Sequence, residues 1–211
     1  MLMTRDPAHP RTQAERRAAT QSVLLDATID CLVQDGYSGT STRRIAERAG
    51  VTVGAMQHHY DSKTALVTAA LEHLAGMIAA EVVIVGLPDG RTDLERGKEL
   101  LERVWQVHRG PLFAAGIELW VAARTDPDLR ASLRATRGGI GGVIEDGTAV
   151  LFPALADDPT FHAAVVTGLA TLRGLALQGF VPGLDPDEAW PETRAQLLEL
   201  LGPFFSDDTH E

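Results

Sequence analysis

The chain has 211 residues, 45% hydrophobic and 23% charged, a balance typical of ordinary globular proteins that excludes disorder and fibrous repeats and allows one or two domains. Aromatic residues make up only 5%; Leu and Ala recur and β-branched clusters are few, which points to an all-helical fold and against a large sheet. The net charge of -10 argues against nucleic-acid binding only as an average: residues 1–75 hold eight basic and eight acidic side chains, and the remaining 11 basic and 21 acidic ones carry the whole deficit. A polyanion would meet only the first third of the chain without strong repulsion, so two functional modules are expected.

No uncharged apolar run approaches the roughly 18 residues of a spanning helix, and the opening MLMTRDPAHP lacks the apolar core of a secretory signal. No membrane partner and a cytoplasmic location are therefore expected. The single cysteine, Cys31, has no second thiol for a disulfide or a structural zinc and reads as a small core residue.

The elements follow in chain order. Beyond a polar arm with Pro7 and Pro10, the apolar positions Leu24, Thr28, Cys31 and Leu32 share one face of a helix over residues 12–35, and Gly36 supplies its stop. Thr40 can cap a second helix containing Ile45, Ala46 and Ala49, which Gly50 ends. Thr52 caps a very short third helix over 53–60. Asp61 or Ser62 caps a fourth, from Lys63 through Leu66, Leu71, Leu74 and Ile78 toward Val85, before Pro88-Asp89-Gly90 breaks it. Helices are then predicted over 93–108, 111–124, 127–150, 159–179 and 186–204, each opened by proline or an acidic cap, about nine helices in all. The Gly138-Gly139-Ile140-Gly141-Gly142 cluster should kink or thin the helix that contains it, either for close packing or to shape a cavity, because each glycine costs about 1 kcal/mol of helix propensity.

Residues 40–60, TSTRRIAERAGVTVGAMQHHY, form a helix, a tight Ala49-Gly50-Val51 turn and a second short helix, the helix-turn-helix layout. Ile45, Ala46, Ala49, Val51 and Met56 can face inward, leaving Thr42, Arg43, Thr52, Val53, Gln57 and His58 outward. Arg43 and Thr52 can reach phosphates; Gln57 and His58 can offer hydrogen bonds to base edges in a major groove wide enough for one helix. For Arg5, Arg11, Arg16 and Arg17 a solvated arm and a minor-groove or phosphate contact both fit. His58 and His59 are adjacent and cannot form the i, i+4 pair that chelates a metal, so no metal and no cofactor is expected.

These residues resemble a known family. Asp35-Gly36-Tyr37, Thr42, Ile45-Ala46, Ala49-Gly50-Val51-Thr52, Gly54, His59-Tyr60 and Ser62-Lys63 look, in order and spacing over residues 12–67, like the DNA-binding domain of TetR-type regulators. The resemblance implies that residues 51–60 are the recognition helix and adds Gly54, Tyr60 and Lys63 to the DNA-facing set, Lys63 at a position that commonly holds the backbone. A tyrosine that often touches a phosphate usually stands where Gln57 stands here, and a phenylalanine where Tyr60 stands. Gln57 can pair bidentately with adenine or reach a phosphate.

For residues 68–205 the resemblance implies a helical domain that binds a small-molecule effector and dimerises. Amphipathic and aromatic residues set among apolar ones, namely Trp105, His108, Phe113, Glu118, Trp120 and His162, are the pocket candidates. Each also has a plainer role: the tryptophans as core, the histidines as hydrogen-bonded packing, Glu118 as a partner of Arg124 or Arg173. Over 161–180 and 188–205, Val165, Val166, Leu169, Leu172, Leu175 and Ala176, then Leu197, Leu198, Leu200 and Leu201, make stripes wide enough for both the core and a second chain.

The function expected is a DNA-binding transcriptional regulator: a homodimeric repressor released from a pseudo-palindromic operator by an effector. A helical DNA-binding or adaptor protein without effector is the alternative, and it would show no closed apolar cavity. An enzyme is disfavoured, since no glycine-rich phosphate loop, G-x-S-x-G, H-E-x-x-H or paired-cysteine motif occurs.

Overall fold

In a computed structural model the described residues are 12–79, 92–135 and 140–205, and they contain ten α-helices and no strand. Thr12 opens α1 (Gln13–Gly39) with a capping box: its hydroxyl accepts from Glu15 N–H while the Glu15 carboxylate accepts from Thr12 N–H. Gly36 breaks the α geometry at φ 65°, ψ 178°, as its residue type suggests, but helical hydrogen bonding resumes to Gly39. Thr40 therefore closes α1, its hydroxyl donating to Gly36 O at 2.7 Å, and the expected cap of α2 (Thr42–Ala49) is made by Ser41 instead. Thr52 caps α3 (Val53–His59), and Ser62 caps α4 (Lys63–Ala79) by accepting from Ala65 N–H at 3.0 Å. The expected continuation to Val85 and the Pro88-Asp89-Gly90 break lie outside the described residues.

Thr92 opens α5 (Asp93–Arg109) with a second capping box, and α6 (Pro111–Ala122) follows with proline in its first turn. Of the single helix expected over 127–150, the described parts are α7 (Pro127–Ala135) and α8 (Ile140–Leu151); residues 136–139 lie outside the described residues. Part of the glycine cluster falls there. A 3-10 turn at Pro153–Leu155 leads to α9 (Pro159–Leu177), and α10 (Pro186–Leu201) ends in another, Gly202–Phe205.

Three apolar clusters organise these helices. Leu24, Ala27, Cys31, Ile45, Ala46, Met56 and Leu66 pack α1 to α4 together at the N-terminal end. Burial raises the Cys31 thiol pKa above its ordinary value, which suits an inert core side chain. A second cluster, including Leu32, Val67, Leu119 and Leu129, joins α1 and α4 to α6 and α7. The largest packs α4, α5, α8, α9 and α10 around Trp105, which stacks on Trp190 at 4.7 Å between ring centroids. Helix α4 contributes to all three, through Leu66, then Val67, then Leu74 and Ile78.

The stretch Pro159–Phe180, although interrupted by Arg173, is long and apolar enough to cross a membrane by length and composition. Its Leu169, Leu172 and Leu175 are buried in the main cluster, as in the central helix of a bundle.

Candidate nucleic-acid interface

The N-terminal cluster holds α2 and α3 in a fixed crossing. Ile45, Ala46 and Met56 are almost fully buried against Leu24, Cys31 and Leu66, while Ala49, Val51 and Tyr60 pack at the margin. Between the helices Gly50 adopts the left-handed conformation, φ 68° and ψ 27°, so its N–H can return to Ala46 O and Glu47 O. A β-carbon would strain that backbone. Thr52 then accepts from Ala55 N–H at 3.1 Å and leaves its own position at the exposed tip of α3.

This packing leaves one side of the motif in solvent. Arg43, Thr52, Val53, Gly54, Gln57 and His58 are all exposed, and no neighbour would meet a side chain added at Gly54. Thr42 is half-buried. Arg43 makes an exposed i, i+4 ion pair with Glu47 at 2.9 Å, a contact that costs little to exchange for a phosphate. His59 turns the other way: its Nδ1 is buried without a hydrogen-bond partner, and burial, then Arg17 and His58, lower its pKa and favour the neutral ring. Arg16 and Arg17 are exposed on the first turns of α1, whereas Arg5 and Arg11 lie outside the described residues.

Two members of the expected DNA-facing set have structural duties. Tyr60 is half-buried against the N-terminal cluster, and burial raises its pKa. Lys63 lies over the Tyr37 ring, 3.7 Å from its centroid, and its ammonium donates to Tyr37 O. Desolvation lowers the Lys63 pKa, opposed by the nearby charge of Asp126. Around Tyr37 a polar seam closes. Its N–H donates to Glu118 Oε2 at 2.9 Å and its hydroxyl to Asp126 Oδ2 at 3.1 Å, and Asp126 in turn accepts from Leu129 N–H at the start of α7. The Leu129 bond is the main reason the Asp126 carboxyl stays below the usual carboxylate range, with Tyr37 adding to it. Reaching a phosphate would require Lys63 to give up Tyr37.

Sequence reading missed the fastening of α2 onto α1. Arg44 pairs with Asp35 at 2.9 Å and Arg48 donates to Gln34 at 2.8 Å. The i, i+4 spacing of the two arginines was visible, but their partners become adjacent only through the crossing angle.

The six pocket candidates do not converge. Trp105 is sealed against Trp190. His108 is buried in the bundle, donating from Nδ1 to Val104 O at 2.8 Å and tilted against Phe113 at 5.0 Å. Burial lowers its pKa, so the ring is neutral. Glu118 belongs to the Tyr37 seam instead of pairing with Arg124 or Arg173; Trp120 lies on the surface under Arg173, and His162 is exposed. A small, partly open cavity in the bundle, about 50 Å³, is lined instead mostly by aliphatic and phenylalanine side chains of α5, α8, α9 and the C-terminal turn. No cluster that could hold a metal ion occurs among the described residues.

Residues 24–70, which contain the motif, match the family model described as bacterial regulatory proteins, tetR family. The chain is 32% identical over 195 residues to an HTH-type transcriptional regulator of Mycobacterium tuberculosis strain H37Rv, covering 90% of this chain and 96% of that one. It is also 32% identical over 108 residues to the HTH-type transcriptional repressor KstR of Rhodococcus jostii, about half of each chain. A TetR-family regulator from Mesorhizobium loti has the same fold, with a TM-score of 0.71 at 18% identity over 92% of this chain and 98% of that one. With the motif folded, its outer face exposed and a full-length relative that shares it, the chain belongs to the TetR family of DNA-binding, helix-turn-helix transcriptional regulators.

Proposed function

We propose that the chain acts in the cytoplasm as a homodimeric repressor on a pseudo-palindromic operator, and that a small-molecule effector held in the helical domain releases it. The observation that carries the reading is the exposed face of α3, where Gln57 and His58 stand clear beyond a capped N-terminus. In this reading Gln57 and His58 read base edges; Arg43, Thr42, Thr52 and backbone at Val53 and Gly54 hold phosphates; and Tyr60 sets the end of α3. Lys63 joins the phosphate contacts on exchanging its Tyr37 bond. The two units divide near Val67, residues 12–67 for DNA and 68–205 for effector and partner.

Dimerisation fits the surface of α9, where Val166, Ala170, Gly174 and Leu177 are exposed while Val165, Leu169 and Leu172 face the core. Two chains related by a twofold place two recognition helices about 34 Å apart or a multiple of it, one turn of duplex. An effector coupling of about 1–3 kcal/mol would change operator affinity 5- to 150-fold. The alternative, a DNA-binding protein without effector, expects no closed apolar cavity; the apolar cavity of the bundle is small and partly open to solvent.

Anisotropy titration against a genomic fragment library tests the reading. Gln57→Ala is expected to change which fragments are retained, with losses of about 1–3 kcal/mol at the affected base pairs, and Arg43→Ala to weaken all fragments and lower the salt slope by about one. No specific retention at any salt concentration would sink it.

A further inference from the structure

The cavity in the bundle has a chemistry of its own. Its walls come from Leu100, Leu101 and Val104 of α5, Leu169 and Leu172 of α9, and Phe205 of the C-terminal turn, among others, and among the described residues Thr148 is the one polar side chain on it. Among the described residues no charged group lines it. An ion or a strongly hydrated ligand would lose its water there and gain no partner, so a ligand for this space is an uncharged, apolar one.

The space is also partly filled by the turn that follows α10. The Phe205 ring lies against Phe152 at 4.8 Å and Phe161 at 6.0 Å between centroids. It presses so closely on α5 that a β-carbon at Gly97 would stand 2.6 Å from Phe205 Cε2; at that point only glycine leaves room for the ring. Phe205 sits on a single 3-10 turn after α10, so moving it disturbs no long helix. Apolar cavities of about 150 Å³ stay dry and accept benzene. The present one, about 50 Å³, falls short of that by roughly a ring.

We propose that Phe205 is a built-in stand-in ligand: the cavity binds a neutral, flat aromatic hydrocarbon-like molecule that takes the place of the Phe205 ring between Phe152, Phe161 and Gly97. This rests on the reading of the helical domain as the effector-binding unit and gives that effector a chemical class. The ring's departure is the conformational toll on binding, and removing the ring removes the toll.

The test is calorimetric titration of the full-length chain and of Phe205→Ala with toluene, and with benzoate as the charged counterpart, alongside thermal unfolding. Phe205→Ala is expected to melt lower than the parent, to regain melting temperature with toluene, and to bind toluene about tenfold or more tighter than the parent; benzoate should bind neither. Equal toluene affinity in the two chains, or benzoate binding as well as toluene, overturns the proposal. If Phe205→Ala does not fold, Phe205→Leu opens a smaller space at the same place and is held to the same outcomes. Operator release by toluene, measured on the same samples, is a separate readout. Tight toluene binding without release leaves the cavity's ligand class standing and counts against effector release through it.

Discussion

At Gly36 the backbone sits at φ 65°, ψ 178°, a region essentially closed to other residues, and a β-carbon there would stand 2.2 Å from Glu118 Oε2. Gly36→Ala is therefore expected to cost about 1–3 kcal/mol of stability in chemical denaturation and to expel Glu118 from Tyr37 N–H. Glu118→Gln, which retains an acceptor, should cost less. His108 provides a pH signature. Its folded pKa is depressed by burial, so the native ring is neutral, and between that depressed value and the ordinary 6.5 the unfolded chain binds a proton that the folded chain does not. This contribution to stability is complete above pH 6.5 and is lost as pH falls through the folded value. Melting temperature should drop on acidification more steeply in the parent than in His108→Gln. At this scale the sequence was legible where residue type dictates geometry, as at Gly50 and Cys31. It was opaque for Glu118, whose partner is 81 positions away in the chain.

Among elements, α3 is the shortest α-helix of the DNA-binding motif and leans on its cap. Thr52→Ala should cost about 1 kcal/mol, seen as faster amide exchange in α3 than in α2 and as weaker operator binding. The α2–turn–α3 unit could be read because its signals are local: a hydroxyl cap, small inward residues and a left-handed glycine. Other boundaries shifted where two local signals competed. Thr40 and Ser41 both qualify as caps, and the choice fell to Ser41 because Thr40 is already closing α1. The polar and aromatic pocket candidates do not line the small cavity of the bundle: that cavity is marked by aliphatic, phenylalanine and glycine residues, which have no sequence pattern apart from that of the core.

For the whole molecule, the unequal division of charge along the sequence fits the proposed division of labour: residues 1–75 are neutral and the rest of the chain carries the negative charge. The dimer reading belongs here. Ala170→Glu places a charge in the middle of the exposed α9 face, away from the core, and is expected to give monomers by light scattering together with loss of cooperative operator binding. The two proposed units nevertheless share parts, since α4 runs unbroken through all three apolar clusters, and Tyr37 of the N-terminal part donates its hydrogen bonds to Glu118 and Asp126 of the other. This sharing bears on heredity and engineering. The first 67 residues are not a cassette that recombination can move between regulators at will: grafted onto a foreign bundle, Gly36 would keep its costly backbone shape without the carboxylate it accommodates. Such chimeras are expected to work only when positions 36, 37, 63, 118 and 126 travel together, five residues that the chain separates by up to 90 positions.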